Sequence, residues 1–258
     1  MSTSTEAPGY TGPHAEMFER LPEEQRAALL AIYDKLDALP QGLSVTVGNL
    51  KGGVSKTTTV MYLALMLGLN GDSVLVVDSD ATNRSALLWS AASADWPDNV
   101  VVKAWAGDDH TGKRITGRDM VDRIKVARGR YRHLLVDTGP QMREYLAAAL
   151  KVTQDFIVCS SPYPLDTQQI MPSVELAAEV ESMKDGPLFV TVLMSKARKG
   201  TISLREAIED LRRDEVACFD QPISQLETYA LGAGSVPSDF REYIQVLDEL
   251  VDAQEASQ

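Results

Sequence analysis

Two lysines, Lys51 and Lys56, bracket a pair of glycines and lead into three threonines in the run Gly48-Asn49-Leu50-Lys51-Gly52-Gly53-Val54-Ser55-Lys56-Thr57-Thr58-Thr59. Glycines lack Cβ, so the chain can turn tightly there and point successive N–H groups at one anion. A helix that opens at the threonines aims its positive end at the same point. Lys56 then offers a point charge for terminal phosphates, and the Thr57 hydroxyl offers an oxygen to Mg2+. The residues that would line such a cradle are Lys51, Gly52, Gly53, Val54, Ser55, Lys56, Thr57 and Thr58. The spacing is not the ordinary Gly-x-x-x-x-Gly-Lys-Ser/Thr, because Leu50 stands where the first glycine belongs and Ser55 where the last does. A lysine on a glycine turn is often only solvated, so the reading depends on what flanks the loop.

Two apolar runs end in carboxylates. Ser73-Val74-Leu75-Val76-Val77 closes on Asp78-Ser79-Asp80, and Leu134-Leu135-Val136 closes on Asp137-Thr138-Gly139-Pro140. Carboxylates just past the carboxyl end of a strand lie where open α/β sheets bind ligands. Asp137 is placed as the magnesium aspartate of a Walker B strand. For Asp78 and Asp80 there is a structural alternative, in which they only cap Ser79 and the next helix.

The elements that must position these groups follow from periodicity. The β-branched run from Leu43 to Val47 reads as a buried strand, and Val60 to Leu67 as a well-covered helix. Further strands are expected at 73–78, 100–105, 134–137, 156–159 and 188–194, with helices near 85–94, 119–128, 144–151, 168–183 and 238–253. Apolar strands, counted as five, alternate with helices and show no hairpin signal, which predicts right-handed β-α-β crossovers and a mostly parallel sheet. The predicted fold class is α/β, a P-loop NTPase three-layer sandwich with a mostly parallel central sheet. Residues 107–113 read as a polar loop in which His110 is solvated. Ahead of the core, Phe18, Leu21, Leu29, Leu30, Tyr33 and Leu36 recur at near-helical spacing, so Met17–Leu39 is predicted as one added amphipathic helix. It either packs on the core or meets a partner. The expected division is a disordered tail at 1–13, a helical extension at 14–40 and a P-loop ATPase domain at 41–258.

Of 258 residues 44% are hydrophobic, enough for one large domain. No apolar run approaches the ~18 residues of a membrane span, so a cytoplasmic protein is expected, without a membrane partner. Cys159 and Cys218 lie far apart without metal-ligand spacing and read as small core residues. The formal net charge of -12 opposes binding to polyanions unless cations gather in one place. Lys196, Arg198, Lys199, Arg205, Arg212 and Arg213 form such a gathering, though Glu206, Glu209 and Asp210 could equally leave it a solvated, balanced face.

The loop Lys-Gly-Gly-x-x-Lys-Thr-Thr resembles the deviant phosphate loop of the ParA/MinD group of ATPases, and the order of strands extends the likeness over roughly residues 43 to 253. The resemblance implies ATP and Mg2+ as cofactors and a homodimer on ATP binding, in which Lys51 reaches the partner's nucleotide. It assigns Lys51, Lys56 and Asp80 to slow hydrolysis, with Asp80 near the attacking water, and Thr57 and Asp137 to the metal. It also implies non-specific DNA binding through Lys196, Arg198, Lys199 and Arg205, nucleoid association, and a ParB-like or other adaptor that stimulates hydrolysis during plasmid, phage or chromosome partition. Positioning of a protein cargo is the alternative. The sequence departs from the family at Ala81-Thr82, where Pro-Gln is usual, and at Ser224-Gln225-Leu226-Glu227, which carries no positive charge. A MinD-like membrane switch would need a basic amphipathic C-terminal helix, whereas Asp248, Glu249, Asp252 and Glu255 make this one acidic.

Overall fold

β-branched and aliphatic residues dominate six short runs, and in the computed structural model each run is a strand of one parallel sheet. The structure describes residues 12–109 and 111–257; the expected tail therefore lies almost wholly outside the described residues, as does His110. In chain order the elements are α1 (Ala15–Glu19), α2 (Glu23–Ala38), β1 (Ser44–Gly48), α3 (Lys56–Leu69), β2 (Val74–Asp78), α4 (Ser85–Ala92) and β3 (Val100–Ala104). They continue with β4 (Gly107–Asp108), β5 (Arg114–Ile115), α5 (Gly117–Arg128), β6 (His133–Asp137), α6 (Arg143–Leu150), β7 (Asp155–Ser160), α7 (Pro164–Thr167) and α8 (Ile170–Glu181). The chain closes with β8 (Phe189–Met194), α9 (Ile202–Arg213), α10 (Glu227–Leu231) and α11 (Tyr243–Ala256).

The sheet order is β3-β2-β6-β1-β7-β8, with every pair parallel. Alternation along the strands sorts the core into two layers. Val45, Val47, Val74, Val76, Leu135, Ile157 and Cys159 face a layer built with α2, α3 and α11. Leu75, Val77, Leu134 and Val136 face α5 and α6, while Phe156, Val158, Val192 and Met194 face α8 and α9. Both faces are covered, which is why β1, β2, β6 and β7 are buried along their whole length.

Five sequence expectations need correction. The sheet has six strands, not five, and a hairpin does exist: β4 and β5 pair antiparallel, Gly107 opposite Ile115. Left-handed Gly107 and Gly112 permit that turn, and Tyr145 clamps it by donating from its hydroxyl to the Ile115 carbonyl at 2.5 Å. The extension is two helices, because Pro22 disfavours helical backbone at Leu21. The helix expected from 168 starts at Ile170, since Pro172 has no N–H to bond back toward Gln168. The last helix starts at Tyr243 rather than near 238, behind Arg241, whose φ of 48° is left-handed.

In α2, Leu29, Ile32, Tyr33 and Leu36 are buried, and Lys35 reaches Asp248 and Asp252 of α11 at 2.8 and 2.6 Å. The Tyr33 hydroxyl donates to the Met66 carbonyl at 2.8 Å, tying α2 to the helix that follows the phosphate loop. Among the described residues no helix is long and apolar enough to cross a membrane.

Candidate functional site

The connections from β1 and β6 run to opposite sides of the sheet, and the crevice between such diverging connections, outside the carboxyl ends of the strands, is where α/β sheets bind ligands. β1 sits between β6 and β7, so its loop opens into that crevice. A Cβ on Gly48, the last residue of β1, would lie 2.8 Å from Thr138 Oγ1 and 2.9 Å from Leu146 Cδ1. Only glycine therefore lets the strand end press against the segment after β6.

The loop itself is held from several sides. Asn49 donates from Nδ2 to the Cys159 carbonyl at 2.7 Å and accepts the Lys51 N–H at 3.0 Å. Ser195, just past β8, donates to the Val54 carbonyl at 3.0 Å. Thr59 donates to the Ser55 carbonyl at 2.9 Å. Gly53 has φ of 75°, a left-handed geometry that suits glycine, with nothing within 4 Å of where its Cβ would stand. Ser55 caps α3 with φ of 65° and ψ of 21°, also left-handed, so the serine occupies a glycine conformation at some cost in strain.

The two lysines of the loop have different surroundings. Lys56 is buried and donates to the Lys51 carbonyl at 2.7 Å. Burial lowers its pKa, and the neighbouring carboxylates of Asp137 and Asp80 oppose that. Lys51 points outward, its side chain 41% exposed, with Nζ 3.4 Å from Asp166. Asp166 is in turn fixed by the Ser161 hydroxyl at 2.6 Å.

Asp137 is in register with Val47 on one side and Asp78 on the other, which brings two carboxylate-bearing strand ends and the loop after β1 together. Thr57 Oγ1 donates to Asp137 Oδ2 at 2.6 Å, while the buried Oδ1 has no hydrogen-bond partner. Burial, and after it the neighbouring Asp78 charge, push the Asp137 carboxyl up to about 8; Thr57 and Lys56 pull it back. Asp78 is raised by burial too, although its carboxylate accepts the Asp80 and Leu87 N–H groups. Asp80 accepts from the Thr82 and Asn83 backbone and from Asn83 Nδ2 at 2.9 to 3.0 Å, so in this state it caps the turn that follows β2. The segment after β6 lies directly over it: a Cβ on Gly139 would come within 3.0 Å of Asp80 Cα.

A magnesium ion and a nucleotide's phosphates fit these residues. Mg2+ is usually held by one or two protein oxygens with the rest supplied by phosphate and water. The orphaned Asp137 oxygen beside the Thr57 hydroxyl supplies such a partial set, and a dication there would offset the charge that burial makes costly. Among the described residues no cluster of three or more His, Cys, Asp or Glu could hold a metal by itself.

The cationic segment after β8 divides. Lys196 and Arg198 line a cleft of about 580 Å3 that opens beside Gly53, Ser55 and Thr58 and is closed by Gln225, Glu227, Tyr229 and Tyr243. Lys199 faces a different depression, near Glu242 and Gln245. Arg205 is exposed on α9, with Glu209 at 3.9 Å. Asn49, Ser195, Asp166, Tyr229 and Tyr243 were not singled out in sequence; of these only Asn49, directly after the strand-ending glycine, carried a local signal.

A family model described as an AAA domain matches residues 43–102, which span β1 to β3 and include the phosphate loop. Septum site-determining protein MinD of Pyrococcus horikoshii OT3, solved with Mg-ADP, superposes with a TM-score of 0.64 at 19% identity, covering 82% of this chain and 96% of that one. Cobyrinic acid a,c-diamide synthase of Mycobacterium smegmatis, solved with an ATP analog and magnesium, gives 0.63 at 19% over 84% of this chain and 97% of its own. A putative plasmid partition protein of Borrelia burgdorferi B31, bound to AMPPNP, gives 0.63 at 14% over 83% and 100%. No curated protein matches the sequence. At these identities the likeness shows the fold, that of the ParA/MinD-type P-loop ATPases.

Proposed function

We propose that this ParA/MinD-type fold serves a magnesium-dependent ATPase that alternates between a monomer and an ATP-held homodimer and acts in DNA partition. The observation that carries the reading is the contrast between two lysines on one loop. Lys56 is buried with its ammonium turned into the loop, and suits the chain's own phosphates. Lys51 is half-exposed, with Asp166 its one ion-pair partner among the described residues, and suits phosphates on a second copy. Bound ATP with Mg2+ supplies the phosphoryl group and neutralises its charge. The chain's part is to hold the phosphates on the N–H groups from Gly52 to Thr58, to place charge with Lys56 and Lys51, and to ligate through Thr57 and Asp137. Asp80, 7% exposed, would orient water once nucleotide draws it from its turn.

The solved relatives include proteins named for septum site determination and for plasmid partition, as well as a synthase. DNA partition is favoured here because a switch that dimerises doubles whatever cationic surface one chain carries. In this reading the ATP dimer holds DNA non-specifically, and a ParB-like or other adaptor ends that state by stimulating hydrolysis. Sedimentation of the purified protein with ATP and Mg2+, with and without duplex DNA, tests it. A dimer formed with ATP and a DNA-bound species in the same buffer are expected. ATP binding with no change in mass would return the chain to a generic P-loop ATPase, and a dimer that ignores DNA would favour a protein cargo.

A further inference from the structure

The strongest concentration of positive charge lies away from the segment after β8. Residues 113–132 hold eight lysines and arginines against two aspartates, in a chain of net charge -12. Three of the eight have structural work. Arg128 ties the end of its helix to the following segment by donating to the Tyr131 and Arg132 carbonyls. Arg132 is bound to Asp37 and Asp72, and Arg114 to Glu144. The other five, Lys113, Arg118, Arg123, Lys125 and Arg130, form no ion pair among the described residues.

Their arrangement follows from α5. Met120 and Ile124 turn inward and are buried, which leaves Arg118, Asp122, Lys125 and Val126 on the outward stripe. Arg118 and Lys125 are two turns apart, about 10 Å along the axis. Lys113 precedes the helix and Arg130 follows it, so the cations continue past both ends. Asp119, which lies near Lys113 and Arg123, is already occupied, since its carboxylate accepts the Thr116 N–H at 2.9 Å and hydroxyl at 2.7 Å in a capping box. Asp122 is the one remaining acid of the segment.

We infer that the outer face of α5, with Lys113 and Arg130 at its ends, is a docking surface for the phosphate backbone of duplex DNA. Lys113, Arg118, Lys125 and Arg130, spread over more than two helical turns with half-buried Arg123 on the flank, match a row of phosphates, and screening beyond a Debye length of about 10 Å limits what acids elsewhere on the chain subtract. Anionic lipid is the poorer match, because the apolar residues of α5 are committed to the core and only Val126, 78% exposed, is left to insert. Contacts to phosphate carry no sequence information directly, so the contact should be indifferent to sequence. The surface is distinct from Lys196 and Arg198, and one chain carries it complete without nucleotide. It rests on the proposed function only in the choice of DNA as the polyanion.

The test is fluorescence anisotropy with a labelled duplex of about 30 base pairs of arbitrary sequence, at about 50 and about 200 mM NaCl. If all five cations meet phosphates, wild-type affinity should fall up to about 500-fold between those salts, a log–log slope near -4.5. The variant Arg118→Gln/Lys125→Gln/Arg130→Gln should bind at least about 10-fold more weakly at low salt, with a slope shallower by about 2.7. The charge-keeping Arg118→Lys/Arg130→Lys should bind within about 3-fold of wild type, which guards against a folding artefact. An unchanged slope in the triple glutamine variant overturns the assignment, more so if Arg198→Glu/Lys199→Glu abolishes binding instead. Absence of wild-type binding at low salt also overturns it, as does binding to phosphatidylglycerol vesicles but not to duplex. ATP-driven dimerisation is read separately by sedimentation: its failure with the α5 contact intact sinks the switch and spares the surface, and the converse result does the reverse.

Discussion

Thr57 Oγ1 and Asp137 Oδ2 stand 2.6 Å apart, a hydroxyl from the start of α3 touching a carboxylate from the end of β6. The contact joins two segments eighty residues apart in sequence, and it leaves the second Asp137 oxygen buried with nothing to accept from. A buried acceptor with no donor costs about 1–3 kcal/mol, so this pair is arranged for a ligand rather than for the stability of the empty chain.

Asp137→Asn should therefore separate activity from stability. ATP hydrolysis in saturating Mg2+ should fall by about 100-fold or more, since a neutral amide is a poor ligand for a hard dication. The melting temperature without nucleotide should stay level or rise, because the carboxyl that burial pushes up to about 8 is no longer there to ionise. A variant that melts well below wild type while keeping its turnover would show that Asp137 is structural.

Ser55 holds a left-handed conformation, φ 65°, at the cap of α3. A left-handed non-glycine residue costs about 1–2 kcal/mol, so Ser55→Gly should stabilise the chain by about 1 kcal/mol after the extra freedom of an unfolded glycine is deducted. For a domain of this size that is a rise of about 2–4 °C in Tm. Affinity for ATP should change little, because the strain lies in the backbone geometry that glycine retains. A large gain in affinity on substitution would mean that the serine side chain obstructs the phosphates.

Much of this site could be read from the chain because its chemistry is contiguous: one loop supplies both lysines, and Asp78 and Asp137 each end an unbroken apolar run, with Asp80 two residues on. What could not be read depends on contacts made across the fold. Asp166 meets Lys51 only because β7 lies beside β1, and Lys196 reaches the phosphate-loop cleft only because Ser195 is bonded to the Val54 carbonyl. The β4–β5 hairpin was hidden because two-residue strands leave no periodicity to detect, and its polar turn reads like any loop. The same limit applies to α5. Its basic end is visible in sequence, but which arginines in and beside it are spent on Asp37, Asp72, Glu144 and backbone carbonyls is a tertiary fact.

Lys51→Ala and Asp80→Ala should fail in opposite ways. Without Lys51 the chain keeps Lys56 and should bind ATP within about 3-fold of wild type, yet remain monomeric in sedimentation and lose hydrolysis, since what is removed is the proposed trans contact and a half-exposed ion pair to Asp166. Without Asp80 the chain should dimerise on ATP and persist as a dimer. Asp80 also bonds three donors of its turn, so the second variant should lose about 1 kcal/mol of stability as well. Wild-type turnover by Lys51→Ala would remove the trans lysine from the mechanism.

Asp155, at the start of β7 and 4% exposed, is a buried carboxylate away from the nucleotide site. Gln254 donates to its Oδ1 at 2.8 Å and its Oδ2 has no partner. Burial pushes its pKa up to about 7 from the usual 3.8, with Gln254 and Lys184 opposing. Between those two values the unfolded chain has lost the proton and the native chain still holds it. Native protein then binds more protons than unfolded protein, so stability falls as pH rises through this window and levels off above about 7. Asp155→Asn removes that slope while its amide oxygen still accepts from Gln254, though its amide nitrogen gains no evident acceptor. Relative to wild type the variant should gain on the order of 2 kcal/mol between about pH 5.5 and about pH 8, read from urea midpoints. It should be level with or slightly less stable than wild type at the lower pH and more stable at the higher one. Parallel pH curves for the two proteins would mean that Asp155 is ionised in the native state near its usual pKa, reached by water through the edge of α11.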